Sequence, residues 1–136
     1  MLDDPILKKL KHKQGDKILV INTPETFDFQ GMHGPIVVNP SDPNRKADFL
    51  LIFAYHKAEV DRLIEDSFKF LKYDGLLWIA YPKGTSGIKT DINRDKGWES
   101  LKKLNLIVIA VVSLDNTWSA VRFRPIEVVK SSRKLN

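Results

Sequence analysis

The chain has no cysteine among its 136 residues, which excludes a disulfide framework, a thiolate nucleophile and every cysteine-based zinc site. A reducing, cytoplasmic setting is the matching expectation. No apolar run exceeds "LIVIAVV" in length, far short of the roughly 20 residues that cross a bilayer as a helix. The first residues carry two acids and then a basic amphipathic stretch rather than the apolar core of a secretory signal, so neither a membrane span nor a targeting segment is expected. Histidine is scarce as well: His12, His33 and His56 have no histidine partner at i,i+4, and no metal site is expected.

A concentrated charge of one sign is also missing. The net charge is +5, with an isoelectric point near 9.4, but its placement decides what it means. Residues 1–17 hold five Lys against three Asp, and residues 126–136 hold three basic side chains against Glu127. The body between them carries 14 basic and 13 acidic residues, which is no footprint for the phosphates of a nucleic acid. What remains is an ordinary globular composition, 43% hydrophobic and 29% charged. A length within the range of about 100–200 residues fits one core. A single domain is expected over 1–129, with a basic, disordered tail over 130–136.

Apolar runs bounded by turn residues place the strands. "KILVIN", "PIVVN", "DFLLIFA" and "GLLWIAY" read as buried strands, and "LIVIAVVSL" and "WSAVRFR", joined by "DNT", read as an antiparallel hairpin. Helices are expected at Pro5 to Leu10, behind an Asp3 or Asp4 cap, and over Val60, Leu63, Ile64, Phe68 and Leu71 at helical spacing. A third, shorter helix is marked by Trp98, Leu101 and Leu104, started by Asp91 or Asn93 and weakened by Gly97. The expected fold is therefore α/β: a small three-layer Rossmann-like, mostly parallel sheet that ends in an antiparallel hairpin.

Three stretches also carry a resemblance. "DFLLIFA", the helix ending in "LKYDG", "LLWIAYP" and the terminal hairpin resemble the second half of a class I S-adenosylmethionine-dependent methyltransferase. More closely, "LLWIAYPKGTSGIKTDINRD", "LDNTWSAVRFRP" and "INTPETF" resemble a bacterial family of short methyltransferase-like proteins grouped as a domain of unknown function. That resemblance spans about Lys17 to Pro125 and implies a methyltransferase-like fold without an established activity. The chain departs from true methyltransferases after its first strand, where "INTPETFDFQG" puts Pro24 and Phe27 in place of glycines. The ribose-binding acid of the second strand is likewise replaced, since "VVNPSD" ends on Asn39, with Asp42 beyond a proline.

Parallel strands gather their carboxyl ends on one edge, and ligands bind outside that edge. The candidate site there is Asn22, the loop residues Lys83, Gly84, Thr85, Ser86, Gly87, Thr90 and Asp91, and Asp115 and Trp118 from the hairpin. Gly84 and Gly87 would free backbone N–H groups, Thr85 and Ser86 would add hydroxyl donors, and Lys83 or Lys89 would add charge, which together describe an anion-binding concavity. The following helix N-terminus would reinforce it. The same residues also make an ordinary bend, with Asp91 as a cap and Trp118 as packing. A catalytic set of Ser86, His56 and Asp91 or Asp115 lacks the "GxSxG" elbow and is not expected. The expected function is a noncatalytic or vestigial binding module for a small anionic ligand or a protein partner. The alternatives are a minimal S-adenosylmethionine-dependent enzyme with an atypical cofactor loop, and a homodimerising structural protein that uses a thinly covered sheet face.

Overall fold

The computed structural model describes residues 5–13, 16–25, 27, 36–38 and 46–134. Among them six strands form one sheet in the order β2-β1-β3-β4-β6-β5, with β1 Ile18–Ile21, β2 Ile36–Val38, β3 Ala47–Phe53, β4 Leu71–Pro82, β5 Leu106–Ser113 and β6 Trp118–Pro125. The α/β class expected from the sequence is observed. The sheet is mixed rather than mostly parallel: β1 pairs β3 and β3 pairs β4 in parallel, whereas β2 against β1, β6 against β4 and β5 against β6 are antiparallel. An antiparallel β2 needs no crossover helix, whereas a parallel one would. The directions combine so that β1, β3, β4 and β5 all point the same way, and their carboxyl ends share one edge.

Alternation along the strands sorts the core onto the two faces of the sheet. Leu50, Ile52, Leu77, Ile79, Val121 and Phe123 face α2 (Lys57–Ser67) and α3 (Glu99–Lys103), which contribute Val60, Leu63, Ile64 and Leu101. Phe49, Leu51, Phe53, Trp78, Ala80 and Ala120 face the other way, against Leu7 and Leu10 at α1 (Pro5–Lys9) and Phe27. The Trp78 indole donates to Leu10 O at 3.0 Å, which supplies the partner that a buried Trp N–H requires.

Three boundaries differ from expectation. Helix α2 ends at Ser67, and a 3-10 turn (Phe68–Phe70) leads into β4, so Leu71 belongs to a strand rather than to the helix. Gly97 lies before α3 in the left-handed region at φ 108°, where glycine is the natural residue, and does not interrupt the helix. The segment from Lys130, expected as a frayed tail, continues α4 (Ile126–Lys134). Its start is fixed by Ile126 N–H donating to Asn105 O at 2.8 Å, and Val129 is buried. Asp3 and Asp4 lie outside the described residues. No helix among those described is long and apolar enough to cross a membrane.

Candidate functional site

The insertion of β6 between β4 and β5 brings the hairpin tip beside the loop that follows Pro82. Lys83 makes the junction: its backbone N–H donates to Thr117 O at 2.7 Å, and its ammonium donates to Ser113 Oγ at 2.6 Å. A 3-10 turn, Gly84–Ser86, follows and is closed by Gly87 in the left-handed region at φ 81°. The hydroxyls bend the backbone locally: Ser86 Oγ accepts from Ile88 N–H and Thr90 Oγ1 from Ile92 N–H, each at 3.1 Å. Thr85 is exposed. A Cβ built on Gly84 or Gly87 would meet nothing within 4 Å. The backbone conformation explains a glycine at 87, but φ at Gly84 is not left-handed, so neither sterics nor backbone accounts for glycine there.

The carboxylates of this edge are engaged by backbone. Asp115 Oδ1 accepts from Thr117 N–H at 2.8 Å and Trp118 N–H at 2.7 Å, pinning its own turn. Asp91 does not start the third helix, as had been expected. Its Oδ1 accepts from Lys57 N–H at 2.7 Å and stands 3.9 Å from His56 Nδ1, so it serves the N-terminus of α2 from 34 residues away. Glu59 joins it there, accepting from Tyr55 N–H at 2.9 Å and from Asn22 Nδ2 at 3.0 Å. Asn22 also donates to Phe53 O at 2.8 Å, with its backbone at φ 62°. Two acids therefore complement the positive end of the α2 dipole. The α3 N-terminus does not reinforce an anion site either, because that five-residue helix begins on Glu99 with Trp98 at its cap.

The predicted residues accordingly form two groups. Lys83, Gly84 to Gly87 and Asp115 lie together at the hairpin. Asn22 and Asp91 lie around the start of α2, with Asn22 separated from the β4 end by β3, about 10 Å at two strand spacings. Trp118 is 2% exposed and packs edge-on to Phe53 and to Tyr55, each at 5.2 Å between ring centres. Phe27, 3% exposed, packs tilted against Phe53 at 4.9 Å between ring centres. Sequence reasoning missed Glu59 and Ser113. Glu59 had a signal, since it stands three residues after the cap residue His56, the spacing of a capping box; Ser113 had none.

Charge completes the description. Among the described residues Lys83 and Lys89 pair with no carboxylate. Lys57, by contrast, holds Asp61 at 2.8 Å. Asp61 is pushed up by burial, yet the bond from Lys57, the neighbouring Ser100 hydroxyl and the charges of Lys57 and Lys103 together bring it below the usual carboxylate value. Lys57 is raised, chiefly by its bond to Asp61. No three His, Asp or Glu side chains converge as a metal set among the described residues. Clefts of about 410 Å³ beside Trp98 and Val108, and of about 360 Å³ between Asp61 and Lys103, lie away from the Gly84 turn. No family model matches the chain, and no curated protein does.

Proposed function

We propose that the protein is a noncatalytic binding module that holds a small phosphate- or carboxylate-bearing ligand, or a partner segment presenting such a group, at Lys83 and the Gly84–Ser86 turn. The observation that carries this reading is the imbalance at the carboxyl edge: Asp91 and Asp115 are engaged by backbone N–H groups, while Lys83 and Lys89 have no acidic partner among the described residues. An ammonium fixed by a neutral hydroxyl keeps its charge available to an anion. Gly84, with open space where a side chain would stand, suits close approach of a ligand to backbone. A cytoplasmic setting belongs to the same proposal, supported by the absence of cysteine.

The rival reading, a minimal S-adenosylmethionine-dependent methyltransferase, draws support from the terminal antiparallel hairpin of β5 and β6, one of the features that carry the resemblance. Against it, Phe27 turns into the sheet beside Phe53 just past β1, where a glycine-rich loop would leave room for a cofactor. Thermal stability measured with phosphate, nucleotides, S-adenosylmethionine and S-adenosylhomocysteine separates the two. A ligand at about 100 times its dissociation constant adds about 2.7 kcal/mol. The module predicts a shift with a phosphate compound that Lys83→Ala abolishes. A shift confined to the methionine nucleotides and unaffected by Lys83→Ala would favour the enzyme.

A further inference from the structure

The opposite, amino edge of the sheet carries an independent feature. Between Ala47 opposite Leu71 and Phe49 opposite Leu76, the ladder of β3 and β4 shifts register, so that Lys72 to Gly75 leave it as an excursion. Asp74 adopts φ 56°, and a Cβ on Gly75 would come within 2.6 Å of Leu71 Cδ1. Three successive side chains tie this excursion to three different elements. Lys72 pairs with Asp48 of β3 at 2.9 Å, the Tyr73 hydroxyl donates to Glu127 of α4 at 2.7 Å, and Asp74 takes two bonds from Arg124 of β6 at 3.0 and 2.7 Å. Asp48 and Asp74 are thereby ion-paired, while Glu127, which also lines the cleft described next, keeps its charge behind a bond from a neutral hydroxyl.

This braced excursion walls a cleft of about 280 Å³ whose floor is apolar, made by Leu71, Leu77, Leu106, Phe123 and Pro125. Leu104, 39% exposed, and Tyr73, 68% exposed, stand at its mouth, with Phe70, 53% exposed, just before Leu71 in sequence. Lys46 and Lys69 lie on the rim without a carboxylate partner among the described residues, Lys69 resting over the Phe70 ring at 5.3 Å. Exposed aromatic and aliphatic surface beside a preformed cleft marks a binding place, and two unmatched cations on the rim select the charge of the occupant.

We propose that this amino-edge cleft binds a small amphiphile with an apolar body and one carboxylate, the body on the leucine and Phe123 floor and the carboxylate between Lys46 and Lys69. A cleft of about 280 Å³ suits a medium-chain acid rather than a long lipid. Octanoate is the probe, with 1-octanol as its neutral counterpart and acetate as its head alone. Titration followed by amide NMR is expected to give saturable octanoate shifts at Leu71 to Gly75, Leu104 to Leu106 and Phe123, and none with acetate. The double variant Lys46→Ala/Lys69→Ala should weaken octanoate about tenfold, the scale of two surface charge contacts, and leave 1-octanol unchanged. Leu104→Glu, at an exposed position that folding tolerates, should abolish both. The proposal fails if octanoate does not bind, if the double variant binds it as tightly as the parent, or if the shifts map to Lys83 to Gly87. Lys83→Ala, which tests the carboxyl-edge reading, should leave octanoate binding intact.

Discussion

The two edges of the sheet hold their acids with different balances of side-chain and backbone bonds. At the amino edge side-chain bonds predominate, Asp74 to Arg124, Asp48 to Lys72 and Glu127 to Tyr73, although Asp48 also accepts from Lys17 N–H at 2.8 Å. At the carboxyl edge the acids bond to backbone, as Asp91 does to Lys57 N–H and Asp115 to its own turn. The first scheme ion-pairs Asp48 and Asp74 beside an apolar hollow. The second occupies Asp91 and Asp115 with backbone and leaves Lys83 and Lys89 without a carboxylate partner among the described residues. A site for an apolar body and a site for an anionic group follow from the same residue types by different bonding.

The glycines give the sharpest way to break this comparison. Gly75 sits where a side chain has no room, because Leu71 Cδ1, Leu71 Cγ and Lys72 O would lie 2.6, 3.0 and 3.1 Å from a new Cβ. Gly75→Ala is expected to destabilise the protein by about 1–3 kcal/mol, the range for overpacking a filled site, measured by denaturant unfolding. A neutral result would mean that the amino-edge excursion is not held as tightly as its three anchors imply.

Next in size is Asp91→Ala, which removes the carboxylate that accepts from the first N–H of α2. A loss of about 0.5–2 kcal/mol is expected, as for other side chains that satisfy a helix N-terminus. Amide exchange should accelerate at Lys57 to Glu59 and not at α3. Faster exchange at α3 instead would restore the capping role that the sequence suggested for Asp91.

That example shows where legibility stopped. The apolar runs of β1, β3, β5 and β6 and the amphipathic face of α2 were readable because each depends on a few neighbouring residues. The meeting of Lys83 with the hairpin was readable because strand order follows from topology. The partner of Asp91 was not, since Lys57 is 34 residues away and a capping acid reads the same whichever helix it serves. The direction of β2 and the early start of β4 at Leu71 depend likewise on register between distant segments. Tyr73, Asp74 and Gly75 read as a helix stop, "YDG", and nothing local distinguishes that from a bulge.

A smaller effect tests how far the packing of α2 beside α3 relies on charge. Asp61 titrates below its ordinary value near 3.9 because of Lys57, Ser100 and Lys103, despite burial. Its contribution is therefore fully present above that value and is lost as pH falls through the depressed folded pKa. Lys57, raised by Asp61, contributes below its unfolded value near 10.4 and loses that contribution as pH rises through its folded one. Asp61→Asn should lower stability at neutral pH and flatten the acid limb below about pH 4, so that the two unfolding curves converge in acid. Parallel curves would assign the variant's loss to packing between α2 and α3.

The smallest expected change in stability is the most informative. Gly84→Ala introduces a methyl group into open space at a backbone angle that alanine accepts. Folding should be unaffected or gain about 0.4–1 kcal/mol through a less flexible unfolded chain. Gly87→Ala, in equally open space but at φ 81°, should lose about 1–2 kcal/mol from the left-handed backbone alone. If Gly84 exists so that an anion can reach the N–H groups of the turn, Gly84→Ala will keep the fold and lose the phosphate response, as Lys83→Ala does. A Gly84→Ala protein that keeps both would make the turn a connector, with Lys83 serving only to tie β4 to the hairpin through Thr117 and Ser113.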